Sequence, residues 1–415
     1  MPTQTLTTRC CIAGGGPAGM MLGFLLARAG VDVLVLEKHA DFFRDFRGDT
    51  IHPSTLEIMA EVGLLKEFLK RPHQEVRELT VEIGKKRVTV ADLSHLPTRC
   101  RFVAFMPQWE FLKFLAEEAK GYPSFHLRMQ AEVTDVIEDG DRIVGLRAST
   151  PEGLIEVRAD LVVGADGRHS VVRALAGLEG VDYGAPMDVL WMRLSQSPSD
   201  GKQSLGRIGA GRFFVMLDRG DYWQCAFVIP KGGINELRRH GLPAFRAAIV
   251  ELNPTLADRV QELASWDDVK LLTVRVDRLK RWYRLGLLCI GDAAHAMSPV
   301  GGVGINLAIQ DAVAAANILS VPLRLGQVTE AQLRKVQARR EWPTRMTQGL
   351  QLLIQRRVIS SVLALKTQPR VPFIVTLINR VPWLRRIPGR LLGMGFRPEH
   401  VRTKEFSART RPART

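Results

Sequence analysis

Residues 8–19 read Thr-Arg-Cys-Cys-Ile-Ala-Gly-Gly-Gly-Pro-Ala-Gly, and this stretch decides the fold. TRCCIA is a short β-prone run, and Gly14, Gly15, Gly16, Pro17, Ala18 and Gly19 follow it in a GxGxxG pattern. Met20 to Ala29 is an apolar helix stopped by Gly30, and VDVLVLE over 31–37 reads as a buried second strand. Strand, glycine turn, helix and strand within about 30 residues make a βαβ unit with a right-handed crossover and a parallel sheet. The glycines allow a tight turn and let backbone approach a pyrophosphate, toward which the helix N-terminus turns N–H groups and partial positive charge. Glu37 ends the second strand 23 positions after Gly14, near the spacing at which a carboxylate meets ribose hydroxyls. The stretch predicts a dinucleotide site without saying which dinucleotide.

Two later segments have the same strand-then-turn form. Asp160 to Ser170 (DLVVGADGRHS) is a buried strand ending in Asp166-Gly167 beside a basic helix start. LGLLCIGD (285–292) is another buried strand, followed by Ala293-Ala294-His295 and then by Pro299-Val300-Gly301-Gly302-Val303-Gly304-Ile305-Asn306. An aspartate at the carboxyl end of a strand lies where ligands bind in open α/β sheets. The glycine run lets backbone approach a flat ring, and the helix behind it would stabilise developing negative charge.

Between these landmarks, 53–70 and 108–119 read as helices, and 76–92 as strands turning at Gly84-Lys85-Lys86. From 185 to 280 the chain changes to aromatic-rich strands separated by Gly, Asp and Ser turns, which predicts an inserted antiparallel sheet. Helices follow over 305–320 and 329–365. Beyond Thr367 the chain is broken by Pro369, Pro372, Pro382, Pro388 and Pro398, which argue against a packed domain. The predicted fold class is α/β, a Rossmann-like domain with an inserted antiparallel β-sheet substrate domain and C-terminal helices. Its nucleotide-binding part is discontinuous over 1–75, 98–180 and 281–340. The substrate domain takes 76–97 and 181–280, and 341–415 forms a helical region with a basic tail.

Composition narrows the setting. Hydrophobic residues at 46% and charged residues at 24% of 415 are ordinary for a globular protein. Five cysteines without a CxxC pair make a disulfide scaffold or thiolate metal centre improbable and suit a reducing cytoplasm. No metal-spaced cluster of His, Cys, Asp or Glu is evident. The start lacks the pattern of a secretory signal, and no apolar run reaches the roughly 18–20 residues a spanning helix needs. Net charge is +15, and from Thr367 onward there are 11 Lys and Arg against 2 acids. Such a tail favours anionic partners: solvation, phospholipid at the inner face of the membrane, or acidic substrates. No nucleic-acid module accompanies the charge.

Taken together, the GxGxxG, DG and GD segments resemble those of the single-component FAD-dependent aromatic hydroxylases, the family of 4-hydroxybenzoate hydroxylase and the ubiquinone-pathway hydroxylases. The match in order and spacing runs from residue 8 to about 320. The resemblance implies FAD as cofactor, NADPH or NADH as co-substrate, and O₂ activated as a flavin C4a-hydroperoxide to hydroxylate an aromatic, phenolic or polycyclic molecule. It implies that Gly14, Gly16 and Gly19 hold the pyrophosphate and Glu37 the adenosine ribose, that Arg47 reaches the pyrophosphate region, and that Gln108 contacts the flavin chain. Asp292 would bind the ribityl chain, Pro299 would sit near C4a, and Gly301 to Asn306 would surround the pyrimidine. Asp166 belongs to the DG motif. His169 and Arg275 fall at positions resembling nicotinamide-nucleotide contacts, while Lys38, Arg44 and Arg168 could favour a 2′-phosphate.

A group assisting substrate deprotonation is usual for phenols, and Asp49, His52 and Tyr222 are the candidates; His295 is read as supporting its loop. Trp191, Met192, Phe213, Phe214, Met216, Trp223 and Phe227 are candidates for the substrate wall, although strand alternation sends about half of them to the core. Rival readings are a flavin reductase or dehydrogenase on an isoprenoid or polyketide, and a halogenase. Halogenases carry a WxWxIP segment, and no tryptophan here has that spacing. A third rival is a membrane-associated flavoprotein scaffold using residues 367–415. Monomer and homodimer both remain open.

Overall fold

A computed structural model describes residues 4–43, 50–84, 86–197, 200, 205–365, 367, 369 and 371–406. Strand β1 (Gln4–Ala13), helix α1 (Pro17–Arg28) and strand β2 (Val33–Leu36) form the βαβ unit. Strand β3 (Gly153–Gly164) pairs parallel with β1, and β4 (Leu287–Cys289) pairs parallel with β3. With Phe125–Arg128 parallel to β2 and Tyr283–Arg284 antiparallel to β4, the order across the sheet is Tyr283–Arg284, β4, β3, β1, β2, Phe125–Arg128. Two further antiparallel strands, Glu132–Asp139 and Arg142–Thr150, branch from β3.

Side-chain alternation explains the layers. Cys10, Ile12, Val33, Val35, Leu161 and Val163 face α1 and helix α2 (Gly304–Arg324), the largest apolar cluster. Cys11, Ala13, Leu34, Leu36 and Val162 face the branched strands instead. All five cysteines are free and buried, and burial pushes the thiols of Cys10, Cys11, Cys225 and Cys289 well up.

A second sheet runs Lys270–Leu272, Met187–Ser195, Tyr222–Pro230, Arg212–Asp218, Leu205–Gly209, Glu78–Ile83, Lys86–Asp92. It is antiparallel apart from one parallel junction, where Gly206 stands opposite Val81.

Several elements depart from the sequence reading. The 53–70 helix is two pieces, Pro53–Glu61 and Leu65–Phe68, because Gly63 adopts φ +77 between them. Helix α2 is long and apolar enough to cross a membrane, contrary to the expectation, yet 78% of its apolar window is buried inside the protein. Helix α3 (Glu330–Ile354) passes into a π-turn at Gln355–Ile359 before a last turn, Ser360–Ala364. Beyond Thr367 the prolines begin helical turns instead of preventing them: α4 (Phe373–Arg380) follows Pro372, and Pro382 opens the turn before α5 (Arg386–Met394). Helix α5 packs closely; a Cβ on Gly389 would lie 2.0 Å from the Asp92 carbonyl oxygen, and one on Gly393 would lie 2.6 Å from Leu96.

Candidate flavin and substrate site

The three motif strands end side by side. Ala13 stands opposite Gly164, and Gly164 opposite Cys289, so the glycine turn, the DG loop and the GD loop leave the sheet at one level. They also touch. A Cβ on Gly14, which has φ +104, would lie 2.4 Å from the Ala165 carbonyl oxygen, and one on Gly291 would lie 3.1 Å from the Ala18 side chain. Arg173 ties the loops together, donating to the carbonyls of Arg168 (2.8 Å) and Ala293 (3.4 Å). Arg168 in turn pairs with Asp292 at 3.6 Å.

The arrangement fits a dinucleotide. No side chain caps the first turn of α1 or of α2, so the N–H groups of both helix starts are left for a ligand. A Cβ on Gly16 would meet nothing within 4 Å, so the turn opens there, whereas one on Gly19 would lie 2.0 Å from the Gly14 carbonyl oxygen. Glu37 is buried beside the turn, accepting from Gly15 N–H (2.9 Å) and His39 N–H (3.1 Å). A carboxylate beside the turn is the acceptor that a ribose hydroxyl requires.

Other predicted contacts are placed differently. Burial pushes the Asp166 carboxyl up, against hydrogen bonds that pull it down, and both its oxygens close the loop by accepting from Ser170 Oγ (2.5 Å) and Val172 N–H (3.1 Å). Asn306 is buried and spends its amide on His52 N–H, Thr55 Oγ1, the Thr50 carbonyl and the Gly302 carbonyl. Both residues shape the loops. Gly301 (φ +78) and Gly302 (φ +61) need glycine; a Cβ on Gly302 would lie 2.2 Å from Thr50 Oγ1. Pro299 and Val300 are half-buried ahead of them, and Val303, Gly304 and Ile305 supply the helix start. Gln108 opens its helix, where Trp109 packs on Phe43 at 4.9 Å. Lys38 is exposed, and Arg44, Arg47 and Asp49 lie outside the described residues.

Of the deprotonation candidates, the structure removes two. His52 is buried, and its Nδ1 donates to the Leu392 carbonyl at 2.7 Å. Burial pushes its pKa down to about 4 against the opposing pull of the Leu392 and Gly301 backbone, so it is neutral and anchors α5 to the glycine run. Tyr222 lies under the Arg193 guanidinium at 3.9 Å, opposite Ser195 at the end of its strand. That is roughly 20 Å along the strand from Val228, which clusters with Val300.

The predicted substrate wall divides by alternation. Trp191 and Phe213, with Val189, Val215, Ala226 and Val228, share a cluster with Val300 of the glycine run and with Ile359 and Leu363. Met192, Phe214, Met216, Trp223 and Phe227 point away, packing on Phe245 and Ile249. His169 is exposed on the DG loop, while Arg275 pairs with Asp277 (2.9 Å) and Asp182 (3.6 Å). A surface hollow of about 510 Å³ between Arg9, Gly30, Asp32, Arg324, Leu325 and Phe406 lies at the C-terminal ends of α1 and α2, the wrong end for this chemistry.

Sequence reading missed the scaffold behind the GD loop. Gln348 donates to the carbonyls of Asp277 (2.8 Å) and Ala296 (3.0 Å), and Gln351 to those of Ser298 (2.9 Å) and Val300 (2.8 Å). Gln355 donates to Ser298 Oγ (2.6 Å) and Gln337 to the Lys280 carbonyl (3.0 Å). The signal was present as glutamines at helical spacing on the buried face of α3. Deeper still, Asp311 accepts from Gly291 N–H (3.0 Å), His295 Nε2 (2.6 Å) and Arg340 Nε (2.9 Å), and Arg340 continues to Glu399 at 3.3 Å. His295 supports its loop through this network.

The matched family model is described as an FAD-binding domain and spans residues 7–348. The chain belongs to the single-component FAD-dependent aromatic monooxygenases. It is 32% identical over 94% of its length to 6-methylpretetramide 4-monooxygenase of Streptomyces rimosus, covering 93% of that protein. Rifampicin monooxygenase of Streptomyces venezuelae is 31% identical, matching 72% of this chain and 61% of its own. Among solved structures, p-nitrophenol 4-monooxygenase of Pseudomonas putida superposes with a TM-score of 0.76 at 20% identity, over 95% of this chain and all (100%) of that one. FAD is therefore the dinucleotide.

His52 gives this FAD monooxygenase a pH dependence of known sign. The unfolded chain takes up a proton at His52 below about pH 6.5, which the folded protein refuses until about pH 4. Stability is therefore full above pH 6.5 and declines as pH falls toward 4, by about 2 kcal/mol at pH 5. Melting curves at pH 7 and pH 5 should show a smaller drop for His52→Gln than for the parent protein.

Proposed function

We propose that this monooxygenase hydroxylates a polycyclic aromatic substrate, a phenol or enol, with NADPH or NADH as reductant, in keeping with the name of its relative 6-methylpretetramide 4-monooxygenase. One observation carries the reading: an apolar face bearing Trp191 and Phe213 clusters with Val300, beside the glycine run that receives the flavin. The bound flavin supplies electron transfer from the nicotinamide and activation of O₂. The chain does the rest. The glycine turn and the start of α1 hold the pyrophosphate; Glu37 orients the ribose, and Asp292, paired with Arg168, faces the ribityl region. The free N–H groups at the start of α2 stabilise negative charge on the reduced ring. The Trp191 face excludes water from the reacting edge. His169, on the DG loop, and Arg275, paired with Asp277 and Asp182, are proposed to meet the nicotinamide nucleotide. Buried, unpaired thiols support a reducing, cytoplasmic setting.

The test follows oxidation of NADH and NADPH against phenols, quinone precursors and polycyclic polyketides, with hydrogen peroxide measured in parallel. Substrate-stimulated oxidation with little peroxide is expected, strongest for the polycyclic members. Reductant oxidation with no O₂ consumption would favour the reductase reading and overturn this one.

A further inference from the structure

From Trp342 to Pro398 the chain contains no Asp or Glu, while ten Lys and Arg fall within it. This stretch includes α4, the turn after it and α5. Their inward side is spoken for: Gly389 and Gly393 press on the strand and loop at Asp92–Leu96, Leu392 lies against Gly301, and Arg385 turns back onto the Ile378 and Asn379 carbonyls. Their outward side is not. Trp383 is 59% exposed and Ile387 54%, with Leu377, Arg380, Arg386 and Arg390 exposed around them. The nearest acid on the underlying strand, Asp92, is engaged by Ser94 N–H (2.8 Å) and His95 Nε2 (3.3 Å). Trp342, half exposed on α3, extends the patch by packing edge-on against Phe396 at 6.1 Å.

We propose that this face docks on an anionic phospholipid surface. Tryptophan, isoleucine and leucine insert at the boundary between headgroups and acyl chains, and the interleaved arginines reach lipid phosphates. An anionic surface is favoured over a second copy of the chain, because a self-paired face would set these arginines against their own copies, with no Asp or Glu in the stretch to offset them. Docking here also moves membrane contact from the terminal basic tail to the α4–α5 pair. Since the inward side of α5 holds His52 and Gly301, the docked element is the back wall of the flavin loop. The inference rests on exposed side chains and is independent of the substrate proposed above.

The test is co-sedimentation of the full-length, FAD-loaded enzyme with phosphatidylcholine vesicles prepared with and without phosphatidylglycerol. Binding is expected only with phosphatidylglycerol and should vanish at high salt. The combined variant Arg380→Glu, Arg386→Glu, Arg390→Glu should lose it entirely. Trp383→Ser with Ile387→Ser should weaken it about tenfold. Both should keep the parent's flavin content and melting temperature, and removal of residues 407–415 should leave binding intact. Failure to bind anionic vesicles would overturn the proposal, as would binding indifferent to these variants. A dimer in sedimentation velocity that the Trp383→Ser, Ile387→Ser variant dissociates would assign the face to self-association instead.

Discussion

Replacing Gly19 with alanine is expected to yield a protein that purifies colourless. The new Cβ would lie 2.0 Å from the Gly14 carbonyl oxygen and 3.2 Å from Ile12 Cγ2, both within a turn whose backbone has nowhere to go. Gly14 is held from the other side by Ala165, so relief requires the turn to leave the DG loop. A shift of that kind misdirects the N–H groups that meet the pyrophosphate. FAD affinity should fall at least about 100-fold, roughly 2.7 kcal/mol, read from fluorescence titration of the apoprotein. Its melting temperature should fall as well. Gly16→Ala separates the two effects, since its Cβ meets nothing within 4 Å and its φ is −75. That variant should fold like the parent and still bind flavin poorly, because the methyl occupies the mouth of the turn. Tight flavin binding by Gly19→Ala would show that the turn is not the cradle.

Arg340→Met should be the most destabilising substitution outside the glycine turn. Arg340, Asp311 and Glu399 are all buried, and the arginine bridges the two carboxylates. Its removal leaves His295 as the ionic partner of Asp311 and Arg339 as that of Glu399, which costs about 3–5 kcal/mol and lowers Tm by roughly 3–6 °C. Flavin should also dissociate faster, because Asp311 holds the Gly291 amide of the GD loop at 3.0 Å. Glu399→Gln should do less, since it leaves Asp311 paired with both His295 and Arg340. Burial pushes the Asp311 carboxyl up, but His295 and Arg340 outweigh it and hold it below the usual carboxylate range. Its contribution is therefore complete above about pH 4 and is lost only as pH falls through a still lower value. Thermal melts at neutral pH should report the whole effect; unchanged Tm and flavin release in Arg340→Met would count against the network.

Much of the site is local in origin, and that part was readable. Each motif is a strand end followed by a turn whose backbone demands glycine: Gly14 at φ +104, Gly301 at φ +78 and Gly302 at φ +61. Residues so constrained carry their geometry in their identity. The order of GxGxxG, DG and GD along the chain then carried the family resemblance that implied FAD.

What sequence could not assign depended on partners 29 to 340 positions away. His52 beside the glycine run looked like a possible base until the Leu392 carbonyl, 340 positions later, accepted its Nδ1–H. Trp191 and Met192 are adjacent in sequence, yet only the first clusters with Val300, because a strand turns alternate side chains to opposite faces. The glutamines of α3 recur at helical spacing, but neither that spacing nor the identities of Asp311, Arg340 and Glu399 name the loop or partner each side chain bonds. By itself the sequence determined a parallel nucleotide-binding sheet and its glycine turn, since those follow from steric limits on neighbouring residues, and its family resemblance implied FAD. Tertiary structure alone decided which face of the second sheet meets the flavin loop, which buried charges brace that loop, and which arginines stay in solvent. Those outcomes depend on packing, and packing is settled only when the whole chain has closed around them.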